Sequence, residues 1–425
     1  MSSLMASPHR IIRASAGTGK TYRLTRHFVR LLCTGDLAQH PERICAMTFT
    51  RAAAGEIRDR LLQTLAEAVL DKKAFESLKS DLPDHITQKH LEQVLLDLLA
   101  RLGRIRVSTL DSFFIQLAQA FSFDLDMPLD WSIANEVELE ELTERAVASL
   151  WDAEHLSDIK TMLFELHRRA NRSDLTKAIV EVVKEAYGLV RETDREAWTW
   201  FPRPRLLTSS QLQDAIAALE RTPFHGTASF DKARLKDAEK AKSQDWRAFL
   251  KAGVATKVFN GEPTYSSKNN LITDEIIDLY APLIEHAGQT ILLETASSTH
   301  QYRQLTERYA LQLAALRLTN PCYGFDDITF RLRVANVLGR LEAMYFKLDG
   351  AIDHLLIDEF QDTSLQQWLV LRPLAREVAA SSQGSDRSFM CVGDPKQSLY
   401  SFRGGRSELL EVLPDELPAL ADQIR

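Results

Sequence analysis

The chain has 425 residues, of which 45% are hydrophobic and 26% charged, and its formal net charge is −7. That length predicts two or three domains with real cores. The acidic balance excludes a globally basic nucleic-acid binder, though a local cationic groove remains possible. Cys33, Cys45, Cys322 and Cys391 are scattered without Cys-x-x-Cys spacing, which argues against a disulfide framework or zinc site and suits a reducing cytoplasm. Residues 1–13 lack the apolar core of a secretory signal, and no stretch is long and apolar enough to span a membrane, so a cytoplasmic location is expected.

In chain order, Ile11 and Ile12 form a short β-prone segment before Ala14-Ser15-Ala16-Gly17-Thr18-Gly19-Lys20-Thr21. Gly17 and Gly19 lack Cβ, so the backbone there can turn successive N–H groups toward phosphates. Lys20 adds a cation, and Thr21 can offer a hydroxyl to Mg²⁺. Leu24, Phe28, Leu31 and Leu32 recur at helical spacing, which puts the phosphates on a helix N-terminus. The strict pattern has Gly where this chain has Ala14, and the bland reading is a tight turn capping a helix.

Ile44–Phe49 reads as a strand, and Arg51–Leu70 as a helix with Ile57, Leu61, Leu65 and Val69 on one face. Thr48, Thr50 and Arg51 therefore sit at a strand-to-helix turn, where Thr50 could simply cap the helix. Ile105, Val107 and Thr109 alternate as a strand, and Asp111 or Ser112 can cap the helix that follows. Phe113 and Phe114 are expected in the core rather than stacked on bases.

The middle of the chain is mainly helical. Val137, Leu139, Leu142, Val147 and Leu150 mark one amphipathic helix, and Leu163, Leu166, Leu175, Ile179 and Val183 suggest more. Pro202, Pro204 and Thr208-Ser209-Ser210 break the segment in two. The Lys/Arg-rich stretch Lys232–Lys257, with Trp246 and Phe249, reads first as a solvated amphipathic helix and second as a duplex contact. Gly261–Asn270 is a predicted loop.

Leu355-Leu356-Ile357 is a continuous apolar run, as in a buried parallel strand. Asp358-Glu359 follow at its end, where ligands bind in open α/β sheets. There Asp358 would hold Mg²⁺, and Glu359 would polarise an attacking water. A second apolar strand, Phe389–Val392, ends in Gly393-Asp394. Beyond it Tyr400, Phe402 and Arg403 could stack on bases and bind phosphate.

Five blocks in this order resemble the N-terminal motor region of superfamily-one DNA helicases of the UvrD/Rep type, and within them the RecB-like and AddA-like helicase–nuclease subunits. The blocks are Ala14–Thr21, Thr48-Phe49-Thr50-Arg51-Ala52-Ala53, Ser108-Thr109-Leu110-Asp111-Ser112-Phe113, Asp358-Glu359-Phe360-Gln361-Asp362-Thr363, and Gly393–Gly404. They cover both ends of the chain but not its middle. Ala at position 14 is ordinary in that family. Three of the blocks depart from it: Arg51-Ala52 replaces Asn-Lys, Asp111 replaces His, and Phe402 replaces Trp.

The resemblance implies an α/β P-loop NTPase (RecA-like) parallel-sheet domain formed by residues 1–122 and 320–425. A helical accessory insertion, domain 1B, would occupy 123–319, with Tyr323-Gly324-Phe325-Asp326-Asp327 as the point of re-entry. It implies ATP and Mg²⁺ as cofactors, with Lys20, Thr21, Asp358 and Glu359 handling the nucleotide and Gln397 sensing the γ-phosphate. Thr48, Thr50, Arg51, Thr109, Ser112, Tyr400, Phe402 and Arg403 would line single-stranded DNA. The implied activity is 3′-to-5′ helicase or translocase work on single-stranded and duplex DNA in bacterial double-strand break repair, with a RecC/AddB-like partner subunit. A competing reading is a non-catalytic, ATP-gated DNA-binding module or partner scaffold, which never unwinds. The chain stops at Arg425, soon after Arg403, so the family's second motor half, with its arginines for the γ-phosphate, is expected from elsewhere. The chain by itself is then expected to bind Mg·ATP weakly and to hydrolyse it poorly.

Overall fold

A computed structural model describes residues 9–13, 19–150, 175–380, 387–397 and 405–417. Ala14 to Thr18, Leu163, Leu166, Tyr400, Phe402 and Arg403 lie outside the described residues, as does the side chain of Gln397. The chain divides into two compact units, one formed by Met1–Leu139 with Arg317–Arg425 and the other by Glu140–Leu316.

The first unit is α/β. Its strands β1 (Arg10–Arg13), β2 (Ile44–Thr48), β3 (Arg106–Thr109), β6 (His354–Ile357) and β7 (Ser388–Gly393) form one sheet in the order β1-β7-β6-β2-β3. Every pairing is parallel, with Arg13 opposite Gly393, Met47 opposite Ile357 and Thr48 opposite Thr109. Parallel strands need covered faces, and the two-residue period of the side chains supplies them. Cys45, Met47, Leu355, Ile357, Phe389 and Cys391 enter one core, while Ile44, Ala46, Leu356, Met390 and Val392 enter the other.

The second of these cores is closed by α1 (Lys20–Leu32), α2 (Arg51–Leu70), α3 (Lys72–Lys79) and α4 (Gln88–Leu99), through Leu24, Phe28, Ile57, Leu61, Leu65, Phe75 and Leu91. The first is closed by α5 (Leu110–Ala120) and by helices Phe325–Val334, Leu365–Ala379 and Leu409–Glu416. Phe113 and Phe114 are both buried in it, as expected of core residues. Fully burying one such side chain contributes about 1.5–3 kcal/mol.

The first unit extends further along the chain than residue 122. Short strands β4 (Ser132–Ile133) and β5 (Cys322–Tyr323) pair in a small parallel sheet. Trp131 packs edge-on against Tyr323 and donates its indole N–H to Ser122 Oγ at 3.2 Å. These bonds hold residues 123–139 to the first unit. The Arg317–Asp327 ion pair does the same for the returning segment.

The cap of α5 also differs from expectation. Thr109 takes it, accepting the Ser112 N–H at 3.1 Å. Asp111 sits inside the first turn, and its carboxylate accepts from Gln367 Nε2 at 3.2 Å.

The second unit is helical. It contains helices Leu175–Glu192, Arg195–Thr199, Ser209–Arg221, Ala228–Lys242, Trp246–Lys251 and Val254–Phe259, and most of the 46-residue helix Asp274–Thr319. Thr208 caps the helix from Ser209 in a reciprocal capping box with Gln211. Trp246 and Phe249 are buried, with rings 5.9 Å apart, so the aromatics of the Lys/Arg-rich stretch serve the core of this unit. Residues 261–270 are turns, closed by one antiparallel bridge between Thr264 and Leu271.

His27 in α1 is buried and neither ring nitrogen has a partner among the described residues. Burial first, then the charges of Arg10, Arg30 and His354, push it down to about 3. A depressed histidine contributes stability that is full above its unfolded value near 6.5 and is lost as pH falls toward 3. His27→Leu is expected to remove up to about 4 kcal/mol of acid destabilisation across that window. Urea unfolding at several pH values checks it, and an unchanged pH slope in the variant would exclude His27 as the cause.

Candidate functional site

The C-terminal ends of parallel strands form the ligand-binding edge of an open sheet. At that edge β1 leads through the residues before Gly19 into α1, whose first residues are Lys20 and Thr21. Gly19 caps α1 with φ 78°, a left-handed conformation that glycine adopts without the steric penalty of a Cβ. β6 ends in Asp358 and Glu359, and β7 ends in Gly393 and Asp394.

Side chains from these ends meet although hundreds of residues separate them. Lys20 Nζ donates to Glu359 Oε2 at 2.8 Å, with Lys20 only 7% exposed. Thr21 Oγ1 donates to Asp358 Oδ2 at 3.3 Å. Asp358 is anchored by its own N–H, which donates to Met47 O at 2.8 Å, and its Oδ1 accepts the Glu359 N–H at 3.1 Å. Burial, and then the charge of Glu359, push Asp358 up to about 6. Glu359 itself has φ 51° and ψ 44°, a conformation uncommon outside glycine that tends to mark functional sites.

The Thr21 hydroxyl and Asp358 carboxylate are hard oxygen donors, and a carboxylate disfavoured by burial gains from an added cation. The donor set therefore fits Mg²⁺. No group of three or more His, Cys, Asp or Glu able to hold a metal ion occurs among the described residues.

The UvrD/REP helicase N-terminal domain family matches residues 3–418. The chain belongs to that family. Among curated relatives, it is 22% identical over 459 residues to an ATP-dependent helicase/nuclease subunit of Lysinibacillus sphaericus (strain C3-41). It is 23% identical over 446 residues to the protein of the same name from Bacillus cereus (strain G9842). Each alignment covers 92% of this chain and 34% of the relative, so the chain spans about a third of the length of these relatives. The resemblance read from the five blocks, to UvrD/Rep-type helicases and AddA-like subunits, holds along nearly the whole chain.

Of the other residues that the UvrD/REP resemblance singled out, Thr48, Thr50, Arg51, Thr109 and Ser112 are described, and they fall along the same edge with different exposures. Thr48 is buried, and its Oγ1 has no partner among the described residues. Thr50 is half-buried and caps α2 by accepting the Ala53 N–H at 3.1 Å, while Arg51 beside it is exposed. The hydroxyls of Thr109 and Ser112 lie 2.7 Å apart at the head of α5.

One bridging residue was not assigned a role by sequence reasoning. Gln361 is buried; its Nε2 donates to Glu359 Oε2 at 2.6 Å and its Oε1 accepts the Asp394 N–H at 2.9 Å. A Cβ on Gly393 would come within 2.8 Å of that Oε1. A glycine closing an apolar strand was the available signal that something approaches closely.

Proposed function

We propose that this chain is the ATP-binding motor portion of a DNA helicase or translocase of the RecB/AddA type, acting 3′-to-5′ in DNA repair or recombination. The observation that carries the reading is the double pairing of Lys20 with Glu359 and Thr21 with Asp358, between the first residues of α1 and the end of β6. The first unit is the P-loop motor domain, with residues 14–21 cradling the phosphates, and the helical unit is the accessory domain 1B.

Mg²⁺, when bound with ATP, neutralises charge on the phosphate oxygens. Thr21 and Asp358 would hold that ion. Lys20 exchanges the Glu359 carboxylate for a phosphate oxygen, and this leaves Glu359 able to accept a proton from the attacking water. Gln361 keeps the Glu359 carboxylate in place, and Gln397 senses the γ-phosphate. Thr48, Thr50, Arg51, Thr109, Ser112, Tyr400, Phe402 and Arg403 line the path of single-stranded DNA, and a RecC/AddB-like protein is the expected partner. The names of the relatives, which describe ATP-dependent helicase/nuclease subunits, support the reading.

The test is equilibrium binding of a fluorescent ATP analogue, together with ATP hydrolysis with and without single-stranded DNA, for the wild type beside Lys20→Ala. Losing a charge-assisted hydrogen bond is expected to weaken nucleotide binding roughly 10- to 100-fold. Equal nucleotide affinity in the two proteins would remove Lys20 from the phosphate site and with it the reading.

A further inference from the structure

Between helices Arg195–Thr199 and Ser209–Arg221 of the helical unit, residues 200–208 form neither helix nor strand. Pro202 and Pro204 fix their own φ and bias Phe201 and Arg203 toward extended conformations. Trp200 is already extended, at φ −63° and ψ 127°.

The segment is tied down at both ends to one long helix, Asp274–Thr319. Arg303 donates to Arg195 O at 3.3 Å, and the Leu207 N–H donates to His286 Nδ1 at 3.1 Å. Those two anchors are 17 residues apart (303 − 286), or about 25 Å along the helix. The segment is thus a strap laid antiparallel along that helix.

What the strap presents is unusual for a surface. Trp200 is 61% exposed, Phe201 53% and Leu206 43%. Arg203 and Arg205 are also exposed, and neither makes an ion pair or hydrogen bond among the described residues. Scattered apolar side chains need no explanation, but two adjacent rings beside two unengaged guanidinium groups form a patch with a definite chemistry.

We propose that this strap is a binding site for single-stranded DNA, with Trp200 and Phe201 stacking on unpaired bases and Arg203 and Arg205 taking phosphates of the same strand. Arginines two residues apart on an extended chain stand about 6–7 Å apart, comparable with neighbouring phosphates of one strand. Duplex DNA would engage the arginines but hide its base faces from the rings, whereas single strands offer both a π-face and a charge at every nucleotide. The inference rests on the DNA-motor reading and adds to it a contact outside the motor unit.

The test measures binding of a labelled oligothymidine to the full chain by fluorescence anisotropy over a range of salt. The Trp200→Ala/Phe201→Ala pair is expected to lose roughly tenfold or more in affinity. Trp200→Phe, which keeps a π-face, is expected to stay within about threefold of wild type, well inside the stacking loss. The Arg203→Gln/Arg205→Gln pair is expected to flatten the log–log salt dependence by about 1.4, as two phosphate contacts require. Unchanged ATP-analogue binding and helical circular dichroism confirm that each variant is folded. Wild-type affinity and salt slope in all variants would overturn the strap while leaving the motor reading intact. Failure of the wild-type chain to bind the oligonucleotide at any salt would sink that reading, and the strap with it. Displacement of the oligonucleotide by polyglutamate as effective as by unlabelled oligothymidine would overturn the proposal in favour of an acidic protein partner.

Discussion

Glu359→Gln is expected to lower ATP hydrolysis by about 10²- to 10⁴-fold, the usual contribution of a positioned general base. The substitution keeps the size of the side chain and leaves an amide that Gln361 can still bond. It removes the negative charge that holds Lys20 Nζ at 2.8 Å. Affinity for a non-hydrolysable ATP analogue should therefore stay level or rise, because Lys20 no longer has to leave a carboxylate to reach a phosphate. Hydrolysis falls while affinity is kept or gained, which a general loss of fold cannot imitate. Hydrolysis within tenfold of wild type would take the base role away from Glu359.

Gly253→Val is expected to unfold or nearly unfold the helical unit, at a cost of about 4 kcal/mol or more. Gly253 has φ 119°, outside the range that branched residues tolerate. A Cβ there would lie 2.1 Å from Asp237 Oδ1 and 2.6 Å from its Cγ. Asp237 is fully buried and cannot retreat. Its carboxylate accepts from the Val254 and Ala255 N–H groups at 2.8 and 3.1 Å, from Lys240 Nζ at 3.0 Å and from the Tyr280 hydroxyl at 3.3 Å. Burial raises the Asp237 carboxyl above its ordinary range, opposed by the Ala255 and Lys240 bonds. Displacing it would leave a buried charge poorly partnered, which costs several kcal/mol. Urea denaturation followed by circular dichroism checks this. A Gly253→Ala protein within 1 kcal/mol of wild type would show that the cluster has slack.

Those two sites differ in how far they could be read from residues alone. Lys20, Asp358 and Glu359 stand next to apolar runs whose periodicity declares strand or helix, and strand ends are where a parallel sheet gathers its ligands. The helix Arg51–Leu70 was equally legible, since Ile57, Leu61 and Leu65 repeat at its period and all three are buried. Asp237 and Gly253 carry no such signal, because a carboxylate in a Lys-rich helix looks solvated until the fold turns it inward. The 46-residue helix was hidden by Pro282 and by the serines and threonines that interrupt its apolar pattern. Pro202 and Pro204 read only as a break, and the exposure of Trp200 and Phe201 beside them became visible only in three dimensions. The cap of α5 went to Thr109 because its side chain, at the strand end, reaches the Ser112 N–H, while Asp111 already lies within the first turn.

Strand β1 pairs with β7 alone among the described strands, and the Phe389 N–H donates to His9 Nδ1 across 380 residues of chain. A ribosome adding about 5–20 residues per second makes the first strand wait roughly 20–80 s for its neighbour. The helical unit, by contrast, is one uninterrupted stretch, Glu140–Leu316, and its partners emerge close together in time. During synthesis the inserted unit can be finished while the sheet that will carry Lys20 still lacks its centre. The edge that carries Lys20, Asp358 and Glu359 is thus among the last parts of the first unit to be completed.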